Sequence, residues 1–163
     1  MVKYKLTSEI VPSTSWYNNV RSNVTEKEWD YLRKKCYESA SNKCEICGDT
    51  GKNQGFNHDV ECHEIWEYDD KKRTQTLTGL ISLCPHCHKV KHPGLAKING
   101  ETNIVIKQLM KVNKINEKEV QDYLVDVFSL YYKRSHYKWK LDISYLDETL
   151  KEYNELPWWS KML

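Results

Sequence analysis

Phenylalanine is nearly missing from this 163-residue chain: 2 stand against 11 tyrosines and 6 tryptophans. Rings that bury area while keeping one polar contact therefore dominate the aromatic set. No apolar run approaches the roughly 18 residues of a membrane span, and the opening stretch MVKYKLTSEIVPSTSWY has no apolar core of a secretory leader. A cytoplasmic protein without a membrane partner is expected. Net charge is only +2, so overall charge argues for no polyanion. No linker or low-complexity tract appears, and no internal repeat beyond two Cys-x-x-Cys pairs. One domain over residues 1–163 is expected, long enough for a real core or for a small core plus a metal-stapled part.

Net charge is small, but the charged residues are unevenly placed. Residues 45–70 hold eight Asp or Glu against one Lys, and residues 89–118 hold seven Lys against two Glu. An acidic pocket beside a basic surface suits a divalent cation next to a polyanion, and two solvated faces would give the same pattern. In a reducing compartment, six cysteines that include two Cys-x-x-Cys pairs read as metal ligands rather than disulfides. A redox role for those pairs is disfavoured because no βαβ pattern surrounds them.

Residues 1–24 show no sustained period and read as an arm anchored by Trp16 and Val20. Thr25 with Glu28 has capping-box spacing, and Trp29, Leu32 and Cys36 then recur on one face, which predicts a helix over 25–40 with Cys36 as a buried thiol. Loose alternation from Phe56 to Trp66 and a β-rich run at 74–83 predict a hairpin pairing 60–66 with 74–83. Cys62 and His63, adjacent in that strand, diverge to opposite faces. A helix is expected from 88 to about 95, and it would carry His88 and His92 on one face. Residues 102–112 lean to helix, Asn116 with Glu119 opens the most strongly periodic one, and a last helix is expected over 144–153.

The chemistry concentrates in residues 44–92. Cys44-Glu-Ile-Cys47-Gly48 is a zinc-knuckle turn, and Cys84-Pro-His-Cys87 is a second, separated from the first by 36 residues. Four thiolates complete a closed tetrahedral zinc site with no position open for chemistry, so a structural role follows. His63, His88 and His92 are then surplus. Either a second metal is held by the helix histidines and by something on the hairpin, with His63 poised as general base, or one histidine replaces a cysteine at the zinc and the others lie on the surface. The basic and aromatic residues around 131–140 suit either stacking with phosphate contact or a core helix with snorkelling ends.

Taken in order, Cys44-x-x-Cys47, Cys62-His63-Glu64-Ile65 and Leu83-Cys84-Pro-His-Cys87-His88-x-x-x-His92 resemble the HNH (ββα-metal) endonucleases, in particular small phage and bacterial ones. The resemblance covers about residues 43–95. It implies an α+β fold in which a zinc-stapled ββα-metal core is flanked by helices, with an arm and helix in 1–42 and a helical part in 96–163. It also implies a metal-dependent endonuclease that hydrolyses DNA phosphodiester bonds, with RNA an open second substrate. His63 would be the base, and the structural Zn²⁺ would sit on Cys44, Cys47, Cys84 and Cys87. A second divalent cation, Mg²⁺, Mn²⁺, Ni²⁺ or Zn²⁺, would be held by His88 and His92 with Cys62, Glu64 or Glu61 adding a donor. Lys89, Lys91 and Lys97 would meet the nucleic-acid backbone. Two positions depart from the family: Cys62 stands where an Asp or His ligand is usual, and the middle Asn is absent, its place falling near Gly79. Those departures favour the other reading, a catalytically silent zinc module that binds nucleic acid or a protein partner.

Overall fold

Two antiparallel strands, β1 (Glu61–Asp69) and β2 (Thr74–Leu83), form the hairpin on which the rest is assembled. The structure, a computed structural model, describes residues 4–162, so residues 1–3 of the expected arm and residue 163 lie outside the described residues. The hairpin is longer than expected because β1 runs on to Asp69. There the Asp69 side chain accepts hydrogen bonds from the Lys71 and Lys72 amides, and Arg73 takes a left-handed φ of 56° to reverse the chain. In register, His63 faces Ile81 and Gly79 faces Ile65, with a bulge between Ile65 and Trp66.

The hairpin serves two different cores: Trp66 and Leu77 join one, and Ile81 and Leu83 the other. On one side α1 (Glu26–Ser39) packs with Leu32 against Trp66 and Leu77, joined by Val20 and Leu146. Its N-terminus has the expected capping box: the Thr25 amide donates to Glu28 and the Glu28 amide donates to Thr25 Oγ1. On the other side lie α2 (Pro85–Lys91), α3 (Pro93–Ile98), α4 (Thr102–Asn113) and α5 (Glu117–Arg134). Leu83, Val90, Val105, Leu109 and Val120 bury themselves there around the cysteines. Each fully buried aliphatic side chain contributes about 1.5–3 kcal/mol, and strand residues belong to both cores, so the hairpin couples them.

Two further expectations change. The helix after the second knuckle is two helices. It starts at Pro85, and Pro93, which lacks an amide proton and disfavours helical backbone in the residue before it, leaves His92 at φ −119°, ψ 57° between α2 and α3. The arm is anchored by Leu6 and Val20, both fully buried, while Trp16 is 58% exposed. Leu6 is held by a reciprocal pair of hydrogen bonds with the Asn113 side chain.

Of the basic and aromatic residues near 134–140, Arg134 and Trp139 are spent internally while Tyr137, Lys138 and Lys140 stay exposed, and Lys140–Asp142 form a short strand, β3, parallel to β2. Trp139 packs edge-on against Tyr68, Arg134 grips the Asp70 carboxylate with two nitrogens, and Arg73 lies 3.4 Å from the Tyr137 ring centre. After a 3₁₀ turn at Ser144–Leu146, α6 (Asp147–Glu155) closes the first core against α1. The fold is thus mixed α+β around a three-stranded sheet, and no helix among the described residues is long and apolar enough to cross a membrane.

Candidate metal centre

Two clusters of metal-capable side chains lie on the face of the hairpin that α2 covers. The first joins Cys44, Cys47, Cys84 and Cys87, whose sulfur atoms all lie within 4.8 Å of one another. Local geometry brings them there. Gly48 at φ 77° lets the first knuckle fold back so that its amide donates to the Cys44 carbonyl, and Cys84 caps α2 so that Cys87 falls one turn away. The knuckle is clamped to the hairpin twice: the Glu45 amide donates to the Ser82 carbonyl, and the Ser82 amide donates to the Glu45 carboxylate.

Hydrogen bonds from Cys84 and Cys87 hold the Cys44 thiol far below its ordinary range, while the Cys44 sulfur pushes Cys84 up to about 12 and Cys87 higher still. Four sulfurs this close shed their protons only when a cation shares the charge, so the set fits a metal such as zinc. Gln108, buried on α4, donates to the Cys87 sulfur from 3.1 Å, as an outer partner of such a site would.

The second cluster is His63 from β1, His88 from α2 and His92 from the α2/α3 junction, with one ring nitrogen of each again within 4.8 Å of the others. The rings meet edge to face at 4.8–5.3 Å between centroids. Burial lowers His63, and burial also lowers His92 to about 3, so both rings are neutral near pH 7 and offer lone pairs. Two of the three are braced by carboxylates through a ring nitrogen. Glu61 Oε2 accepts from His88 Nδ1, and Glu9 Oε2 stands 3.4 Å from His63 Nε2. This is the outer-shell pattern that fixes a ligating imidazole in one tautomer. Burial raises both carboxyls, but the His88 and His58 contacts hold Glu61 down at about 2, and His63 and Lys91 hold Glu9 below its ordinary value.

Not every expected ligand arrives. Cys62 and Glu64 point to the opposite face of β1, away from the histidines. Contact with Cys36, then burial, pushes the Cys62 thiol upward, which keeps it protonated, and Cys36 is itself buried as expected. The Glu64 carboxylate accepts from the Val20 amide at 2.9 Å and from the Trp66 ring nitrogen at 3.1 Å, and burial raises it. Glu61, two residues before His63 and on the same parity, reaches His88 instead, as a hydrogen-bond partner. Gly79 lies opposite Ile65, whereas His63 faces Ile81, so the absent middle Asn has no direct counterpart against His63.

The three lysines also separate. Lys91 is only 5% exposed and its ammonium donates to Glu9 Oε1 at 2.6 Å and to Thr7, so it is an internal ion-pair partner and meets no phosphate. Lys89 is half-buried and paired with Glu101 at 2.6 Å, and Lys97 alone is exposed. Glu9 went unforeseen: 54 residues separate it from His63 and no local pattern marks it. Lys91 carried a usable signal, since Cys87, Val90 and Lys91 all fall on the buried face of α2.

On the open side, His58 Nε2 is 2.8 Å from Glu61 Oε1, and a pocket of about 130 Å³ adjoins Glu61, His88 and His92. Compared with protein-family models, curated proteins and solved structures, the chain finds no match in any of the three.

Proposed function

We propose that His63, His88 and His92 hold a divalent cation, that Cys44, Cys47, Cys84 and Cys87 hold a structural Zn²⁺, and that the protein hydrolyses DNA phosphodiester bonds. One observation carries this reading: three imidazoles converge on a point along a strand–strand–helix unit, two of them braced by carboxylates, beside a separate four-sulfur cluster. That is the element order the resemblance to ββα-metal endonucleases implies. A bound cation at the histidines supplies Lewis-acid neutralisation of a scissile phosphate. Three imidazoles favour Zn²⁺, Ni²⁺ or a similar borderline ion over Mg²⁺.

The roles of the chain's own residues follow from placement. His63 is 5% exposed and held by Glu9, which suits a ligand better than a base that must reach a water molecule. Glu61 keeps the proton on His88 Nδ1 and so leaves Nε2 as the nitrogen with a lone pair to offer a cation. His58 is the most exposed ionisable group of the set, and with Glu61 orienting its Nε2 it is placed to exchange a proton at the open side. Lys97 is left as the exposed cation for backbone phosphate. Glu9→Gln is expected to weaken binding at the histidine centre by about 10- to 100-fold, read by competition with a chromogenic chelator.

Plasmid relaxation in Mg²⁺, Mn²⁺, Ni²⁺ or Zn²⁺ tests the function, with His88→Ala as control. The wild type should nick in at least one of them, and the variant should be slower by about 10²-fold or more. No nicking by the wild type, or equal nicking by both, favours the silent zinc module instead. One observation supports that second reading: neither neighbour of His63 in β1 turns toward the centre.

A further inference from the structure

The pocket beside the histidine centre has a composition that a phosphate site alone does not need. Phe56, Pro85, Leu95 and Ala96 give it apolar walls, while Asn99 and the Lys89–Glu101 pair bring hydrogen-bonding groups to the same space. A flat heteroaromatic ligand with a polar edge matches that combination, since rings stack on aromatic faces and amides read donor and acceptor positions. Phe56 is half-buried and fixed by edge contacts with His58 and His86 at 5.8 and 6.0 Å, with the Lys89 ammonium 5.8 Å from its ring centre. It is therefore a preorganised platform.

Asn99 caps the end of α3, whose neighbouring Leu95 and Ile98 are 58% and 83% exposed. Apolar side chains presented this way act as wedges that unstack a base step. Glu61, His88 and His92 form part of the pocket wall, so a nucleotide whose phosphate sat at the centre would carry its base into the pocket.

The geometry points to a nucleobase subsite formed by Phe56, Leu95, Asn99 and the Lys89–Glu101 pair, which accepts one unstacked base next to the scissile phosphate. The inference rests on the phosphodiesterase reading, and it makes unpaired or easily unpaired DNA the preferred substrate. Asn99 sets base preference and Phe56 supplies stacking.

Two measurements on the full chain test it. In the first, the four deoxynucleoside monophosphates and deoxyribose 5-phosphate are titrated into wild type, Phe56→Ala and Asn99→Ala by ligand-observed NMR. The nucleotides should bind more tightly than the sugar phosphate, with base-dependent affinities. Phe56→Ala should weaken them by about 5- to 100-fold, the worth of one stacked base, and Asn99→Ala should level the differences between bases. Equal binding of nucleotide and sugar phosphate, or variants indistinguishable from wild type, overturns the subsite.

In the second, cut positions are sequenced on single-stranded and duplex libraries. A bias beside the cut that Asn99→Ala erases supports the subsite. Cutting with no bias in the wild type, or with a bias that both variants retain, rejects the subsite and leaves the nuclease intact. Selective nucleotide binding without any cutting retains the pocket and rejects the nuclease.

Discussion

Replacing Cys84 with serine, or stripping the four-cysteine cluster with a strong chelator, should abolish cooperative thermal unfolding of the whole domain. Cys84 is fully buried, directly follows β2 and stands at the N-cap of α2. Its sulfur neighbours bring the knuckle at 44–48 against the hairpin, and Leu83, Val90 and Leu109 fill the space around them. A structural zinc contributes an apparent ~10–16 kcal/mol, comparable to or larger than the ~5–15 kcal/mol total stability of an ordinary domain. Without the ion, four sulfurs in contact lose their common partner. Circular dichroism melts with and without chelator check this, and an unchanged transition in the apo protein would contradict a structural metal.

His63→Ala should cost about 10²- to 10⁴-fold in cleavage rate, and it should also empty the histidine centre, lowering bound metal from about two ions per chain to about one. The pairing of those two outcomes is informative. A base that only activates water would leave the metal content untouched, so parallel measurement of rate and metal content assigns the role. The ligand role is expected because His63 is buried, neutral and braced from behind by Glu9, which is itself locked by Lys91. Folding should survive, since the cores on either side of β1 are formed by other side chains.

How far the site could be read in advance depends on the range of each interaction. The capping boxes at Thr25 and Asn116, the hairpin and the four cysteines announce themselves through spacings of a few residues or through a motif with one plausible partner set. Strand parity was also available. Once Cys62 and His63 are known to diverge, Glu61 is the acid that shares the face of His63, and Glu64 is not. What could not be read were partners brought together by the fold alone: Glu9 under His63, Lys91 under Glu9, and β3 beside β2. β3 is three residues long, too short for periodicity to show, and parallel pairing leaves no turn signal. The break at His92 was written in Pro93, yet its effect on the neighbouring ring depends on where α3 then packs.

The double clamp between Glu45 and Ser82 fixes more than the knuckle. Ser82 is paired with Cys62, so the clamp also holds the lateral alignment of the strand that carries His63. A slip of one residue would present Cys62 or Glu64 in place of the imidazole, exchanging nitrogen for sulfur or oxygen. The four-cysteine knuckle would thereby govern which donor atoms the neighbouring histidine cluster presents.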